Sequence, residues 1–236
     1  MLLTRVITAV CLLIVILPIL FFAPPAGLAG LVTVFAALAA WEWGRLVRLP
    51  GWWGPLLYAV VVVMLTIAWH DIPVRGDVRP LFHGAVIAWV IAWALLAGGV
   101  RELHGTRRIV FALLGLVMLP AFVHGAIELR THGVAFLLSV ALLVWAADVG
   151  AYFVGKAIGR RKLAPTISPG KSWEGAIGGA VLVAVIATVA GITHWFAPTW
   201  FAHQADQRGA VLALVLTILL VAASVGGDLF ESLLKR

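Results

Sequence analysis

The sequence predicts an all-α polytopic membrane protein of about eight transmembrane helices, on three observations. Of its 236 residues, 63% are hydrophobic and 11% charged, whereas a soluble domain is about half apolar and about a quarter charged. The apolar residues fall in runs close to the roughly 20 that a bilayer-crossing helix needs. Lys and Arg collect in the gaps between those runs.

Eight runs qualify: 6–22, 26–41, 52–69, 81–100, 109–127, 134 to about 155, 176–197 and 211–227. The first carries Arg5 at a basic end, as a signal peptide would. No small-x-small cleavage site precedes Pro24-Pro25 and many spans follow, so it reads as a span. Run 26–41 is short for a span, and the Pro pair marks a tight hairpin before it. Trp52 and Trp69 bound the third. Arg101, Arg107 and Arg108 separate the fourth from the fifth. The sixth is apolar from 134 to 154 except for Asp148. The seventh follows Glu174, and the last ends in "SVGGDLFESLLKR".

Placing the N-terminus in the cytoplasm puts 13 basic residues inside: Arg5, Arg45, Arg48, Arg101, Arg107, Arg108, Lys156, Arg160, Arg161, Lys162, Lys171, Lys235 and Arg236. Only 4, Arg75, Arg79, Arg130 and Arg208, then fall outside. This asymmetry predicts both termini in the cytoplasm. The net charge of +7 would suggest nucleic acid in a soluble protein. Here the basic residues flank apolar spans, so anionic headgroups or an anionic substrate are expected and nucleic acid is not. The single cysteine, Cys11, excludes an intramolecular disulfide. No repeat or linker divides the chain. It reads as one integral-membrane domain, 1–236, with a cytoplasmic active-site loop region at 148–175.

That region reads "DVGAYFVGKAIGRRKLAPTISPGKSWEG". An unpaired carboxylate costs several kcal/mol in hydrocarbon, so Asp148 is a candidate functional acid; the alternative is an interfacial acid paired with Lys156 or an Arg. Lys156, Arg160, Arg161, Lys162 and Lys171 fit either topology signals or a phosphate clamp. "ISPGKSWEG" is no P-loop, because the first Gly of that motif falls on Pro165 and no strand is expected before it. Pro169-Gly170 reads as a turn and Ser172 as the cap of the next helix. Free N–H groups at that helix start, with Lys171 beside them, suit an anion. Glu174 also fits a plainer role, as a first-turn acid that complements the helix dipole.

In "SVGGDLFESLLKR", Gly226-Gly227 allow close helix packing. Asp228, Glu231 and Lys235 share one helical face. The readings are an ordinary helix end with an i, i+4 pair, or a metal carboxylate at Asp228 with Lys235 and Arg236 meeting phosphates. Mg²⁺ favours one or two carboxylates plus phosphate oxygens.

These two blocks resemble the phosphatidate cytidylyltransferase family, also called CDP-diacylglycerol synthases, and "TRVITAV" and "WEWGRL" resemble it more weakly. The resemblance runs end to end. It implies the reaction of CTP with phosphatidate to give CDP-diacylglycerol and pyrophosphate, in phospholipid biosynthesis at the bacterial inner membrane. It implies Mg²⁺, with room for a second cation, and places Asp148, Lys171, Ser172, Glu174 and Asp228 in the catalytic cluster, with Asp148 and Asp228 as metal ligands. The candidate phosphate-binding residues are Lys156, Arg160, Ser168, Lys171, Lys235 and Arg236. Expected partners are CTP, phosphatidate and the bilayer, with a homodimer compatible. "SLLKR" matches only the beginning of the family's C-terminal motif. Its second acidic set would follow Arg236, so either the 236 residues are a truncated form or the rest is supplied elsewhere, and the chain alone is expected to fold in the membrane without turning over.

The phosphate of phosphatidate is already anionic near neutral pH, with a second pKa of about 6. No strong general base is required, and the sequence offers no obvious Ser-His-Asp or Cys-His set. Positioning and charge neutralisation would carry the chemistry. None of His70, His83, His104, His124, His132, His194 and His203 has H-x-x-x-H spacing, which argues against zinc. Trp41, Trp43, Trp52, Trp53, Trp69, Trp195 and Trp200 read as an aromatic belt. The rival readings are a transporter of an anionic small molecule, which would show paired broken helices, a CTP-dependent lipid kinase, and a non-catalytic lipid-binding remnant.

Overall fold

Pro24 and Pro25 open the helix that follows them because proline presets the helical φ and lacks only an N–H that the first turn does not use. The same logic of local start signals and apolar length runs through the chain. The computed structural model describes residues 2–71, 77–193 and 198–236. Arg75, His194 and Trp195 lie outside the described residues, as do the side chains of Arg5, Cys11 and His70.

The helices are α1 (Leu2–Phe22), α2 (Pro25–Leu46), α3 (Trp53–Asp71), α4 (Arg79–Ala97), α5 (Gly105–Thr131), α6 (Val134–Ile158), α7 (Trp173–Thr193), α8 (Trp200–Arg208) and α9 (Ala210–Leu234). Each of the eight apolar runs is centred on one of these helices. Among the described residues six are long and apolar enough to cross a membrane: α2, α4, α5, α6, α7 and α9. The run at 26–41 is not short after all. "WEWGRL" continues α2 to Leu46, because nothing in it breaks a helix. The short helix α8 was not expected. Thr199 caps it, its hydroxyl accepting from the Ala202 N–H at 3.2 Å, and the positive φ of Gly209 separates it from α9.

The all-α expectation also needs one addition. Between α6 and α7 the chain forms an antiparallel ribbon of β1 (Lys162–Ala164) and β2 (Ser168–Ser172), pairing Lys162 with Ser172 and Ala164 with Ser168. The reversal lies at 165–167, where the Ile167 N–H donates to the Ala164 carbonyl at 3.2 Å. Pro169-Gly170 is therefore part of a strand rather than the turn. Proline is tolerated in such an edge strand, which does not need its N–H in a ladder.

The chain packs as two units. One comprises Met1–Ala88 and His104–Val134, the other Trp89–Leu103 and Ala135–Arg236. In the first, Ala40, Tyr58, Ala59 and Val62 form a buried cluster with Trp43 and Leu116 against it. Trp43 Nε1 donates to the Phe111 carbonyl at 2.9 Å and the Tyr58 hydroxyl to that of Ala112 at 2.6 Å. Gly115 makes room for both, since a Cβ there would stand 2.8 Å from Trp43 Nε1. Trp43 thus leaves the expected aromatic belt, because its N–H has an internal acceptor and its ring a core to fill. Trp41, Trp52 and Trp53 remain exposed.

In the second unit, Leu143, Ala146, Ala147, Val183, Ala187, Phe201, Ala213 and Val221 build a core from α6, α7, α8 and α9. Half of them are alanines, which suits helix association driven by close van der Waals contact rather than hydrophobic exclusion.

Candidate active site

The site is assembled by the crossing of α6 and α7. A Cβ on Gly175 would lie 2.6 Å from the Ala151 carbonyl oxygen and 3.2 Å from the Gly155 Cα. One on Gly179 would lie 2.5 Å from the Ala147 oxygen. Only glycine lets the backbones touch this closely. Ser172 then caps α7 as the sequence predicts: its side-chain oxygen accepts the Gly175 N–H at 3.2 Å, and the residue is buried.

From the other side, the Trp93 ring occupies the space a side chain on Gly226 would fill. Trp89 meets Phe230 edge-on, with centroids 6.3 Å apart. These aromatic contacts seat the end of α9, so that Asp228 faces the ribbon.

A cavity of about 640 Å³ results, with Asp148, Lys156, Lys171, Ser172 and Asp228 on its walls. The Lys171 ammonium pairs with Asp228 Oδ2. The Lys171 side chain is 25% exposed and that of Asp228 46%, so this pair is partly withdrawn from water and less screened than a surface bridge. Asp148 is exposed into the same space and feels the charges of both Lys171 and Asp228. The alternative of an Asp148 neutralised by Lys156 is not what forms. The Lys156 ammonium lies 5.8 Å from the Tyr152 ring centroid.

The other candidates lie apart from the cavity. Glu174 accepts the backbone N–H of Arg160 at 3.1 Å and of Arg161 at 3.2 Å. The Arg160 side chain is exposed, and Ser168 is half-buried opposite Ala164 in the ribbon. Lys235 pairs with Glu231 Oε1 at 2.5 Å, the i, i+4 contact of an ordinary helix end. Arg236 is exposed. Of the ten site residues named from sequence, five therefore meet on one cavity.

Sequence reasoning missed Tyr152, which also lines the cavity. The signal was available: Asp148, Tyr152 and Lys156 recur every four residues and share a helical face.

Among the described residues no group of three or more His, Cys, Asp or Glu side chains comes together. Asp148 and Asp228, brought to one cavity from two helices, supply two hard oxygen ligands. That donor set suits Mg²⁺, which keeps waters or phosphate oxygens on its remaining positions.

Residues 3–236 match the cytidylyltransferase family. The chain is 37% identical over 243 residues to the phosphatidate cytidylyltransferase of Pseudomonas aeruginosa, covering 100% of this chain and 84% of the relative. It is 34% identical over 260 residues to that of Haemophilus influenzae, covering 100% and 86%. A further match, 34% over 129 residues, is to that of Bacillus subtilis, covering 53% of this chain and 44% of the relative. Family match and near-full-length similarity agree with the geometry of the cavity: the chain belongs to the cytidylyltransferase family.

Proposed function

We propose that this protein transfers the cytidylyl group of CTP to phosphatidate, giving CDP-diacylglycerol and pyrophosphate in phospholipid biosynthesis. The observation that carries the reading is the meeting of two carboxylates and two lysines, Asp148, Asp228, Lys171 and Lys156, on one cavity in a chain of this family. A phosphate oxygen of phosphatidate attacks the α-phosphorus of CTP. The new O–P bond forms as the bond from the α-phosphorus to the bridging oxygen breaks, and pyrophosphate leaves with that electron pair. The nucleophile is largely deprotonated near pH 7, so no residue has to remove a proton. The obstacle is the approach of two polyanions. Lys171 and Lys156 lower it by meeting phosphate oxygens with charge-assisted hydrogen bonds.

Asp148 and Asp228 are the residues that would hold Mg²⁺, with a second cation possible in the same polar space. Bound there, Mg²⁺ supplies neutralisation of phosphate charge. Arg160, Ser168, Lys235 and Arg236 stand outside the cavity and are assigned to attracting anionic substrate rather than gripping it. The placement proposed is the bacterial inner membrane, with eight spans and both termini cytoplasmic. It is supported by the 13 to 4 division of basic residues. The lipid then reaches the cavity laterally, at headgroup depth.

The test is phosphatidate-dependent pyrophosphate release from CTP by the purified protein in vesicles. Release of pyrophosphate together with formation of CDP-diacylglycerol is the expected result. No release, or phosphorylation of a lipid without release of pyrophosphate, would overturn the proposal.

A further inference from the structure

We infer that Glu174 is a positioning residue: its carboxylate clamps the backbone between α6 and β1 and so fixes the direction from which Lys171 reaches the cavity. The inference rests on reading that cavity as the nucleotide and phosphate site. Glu174 stands in the first turn of α7, but its oxygens turn back onto main chain. The Arg160 N–H donates to Oε2 at 3.1 Å, and the Arg161 N–H lies 3.2 Å from each of Oε1 and Oε2. The Arg161 carbonyl in turn accepts the Trp173 N–H at 2.9 Å. Arg161 is therefore tied to the start of α7 through both of its peptide groups.

The surroundings leave no slack. A Cβ on Gly159 would stand 2.6 Å from the Ser172 side-chain oxygen, and one on Gly155 3.1 Å from it. Ser172 is held by its bond to Gly175 and by its pairing with Lys162. Lys171, next in sequence, meets Asp228 from this braced strand. Glu174 does not line the cavity, and both its oxygens already accept amide hydrogens. That geometry suits a clamp rather than a metal ligand. The clamp grips peptide groups, while the side chains of Arg160 and Arg161 are exposed.

The experiment compares wild type, Glu174→Ala, Glu174→Gln and Asp228→Asn in lipid nanodiscs. It reads hydrogen exchange at the Arg160 and Arg161 amides together with affinity for CTP in Mg²⁺. Glu174→Ala should speed exchange at both amides at least tenfold and weaken CTP binding about tenfold. Amides in the middle of α7 should keep their protection. Glu174→Gln retains a carbonyl oxygen as acceptor, so it should recover part of both losses. If alanine leaves the two amides protected, the clamp does not exist. If glutamine is as harmful as alanine to CTP binding while the amides stay protected, Glu174 is a ligand and the inference fails. Should the alanine variant not insert, the glutamine variant decides on the same two readouts. Asp228→Asn separates the clamp from the reading beneath it. Weaker CTP binding with both amides still protected supports the site. Unchanged CTP affinity removes the site and with it the positioning role, even if the exchange result stands.

Discussion

The ammonium of Lys171, on β2, lies against the carboxylate of Asp228, near the end of α9. Each group is what the other's ligand would be: a cation for Asp228, an anion for Lys171. In the proposed reaction a metal–nucleotide complex would replace the pair without leaving either charge bare, with Lys171 exchanging a carboxylate oxygen for a phosphate oxygen. An exchange of like partners keeps the desolvation cost of charged groups nearly constant, which is the main cost of burying them.

Lys171→Ala should accordingly weaken CTP binding or slow turnover ten- to a hundredfold. A hydrogen bond to a charged group is worth roughly 1.5–3 kcal/mol. Arg161→Ala should change the same quantities less than about threefold, since its side chain is exposed and its peptide groups do the holding. Equal small effects from both variants would return Lys171 to the status of a topology signal.

Asp148→Asn and Asp228→Asn should each lower turnover by two decades or more, about 3 kcal/mol of transition-state stabilisation. Each should also raise the Mg²⁺ concentration needed for half-maximal CTP binding, because a neutral amide is a poor ligand for a hard cation. The double variant should cost little beyond the worse single one if both carboxylates hold one ion. Full additivity would mean two separate roles.

Gly179→Ala should destabilise the protein by roughly 1–3 kcal/mol through overpacking, seen as a lower denaturation temperature in detergent. Its new methyl would press on the Ala147 carbonyl oxygen at 2.5 Å and the Ala151 nitrogen at 3.2 Å. Gly30→Ala, where no atom lies within 4 Å, should be neutral or slightly stabilising, since alanine favours helix. If the two variants melt together, the α6–α7 crossing is looser than described.

How much of this was legible in the sequence follows from the range of each interaction. The eight apolar runs and the Ser172 cap depend on residues within a few positions of one another, and both fall where the sequence places them. The Asp148, Tyr152 and Lys156 face is equally local, but only its charged members stand out in the sequence. Helix α8 escapes a search for long apolar runs, which passes over nine mixed residues. The ribbon escapes it because Pro169-Gly170 reads as a turn when the pairing of Lys162 with Ser172 is unknown. Trp43 shows the limit from the other side. Its sequence neighbours suggest a membrane interface, but the Phe111 carbonyl, far along the chain, decides its place. The Lys171–Asp228 pair and the amides on Glu174 have no local signature, and only the fold makes them visible.

Orientation is the remaining prediction. With Cys11 replaced by Ser, single cysteines at positions 160 and 206 are introduced in turn. Both positions are exposed, so the reagent can reach either one from whichever side it is presented. Position 160 sits in the basic segment beside the site, and position 206 lies in α8. One long apolar helix, α7, separates them in sequence. The excess of Lys and Arg around position 160 predicts that it is cytoplasmic. In intact cells an impermeant maleimide should label position 206 and spare position 160; after permeabilisation it should label both. CTP is made in the cytoplasm, so the reverse pattern would do more than invert a topology diagram. It would put Asp148, Lys171 and Asp228 on the side without nucleotide, and the proposed reaction would lose its substrate.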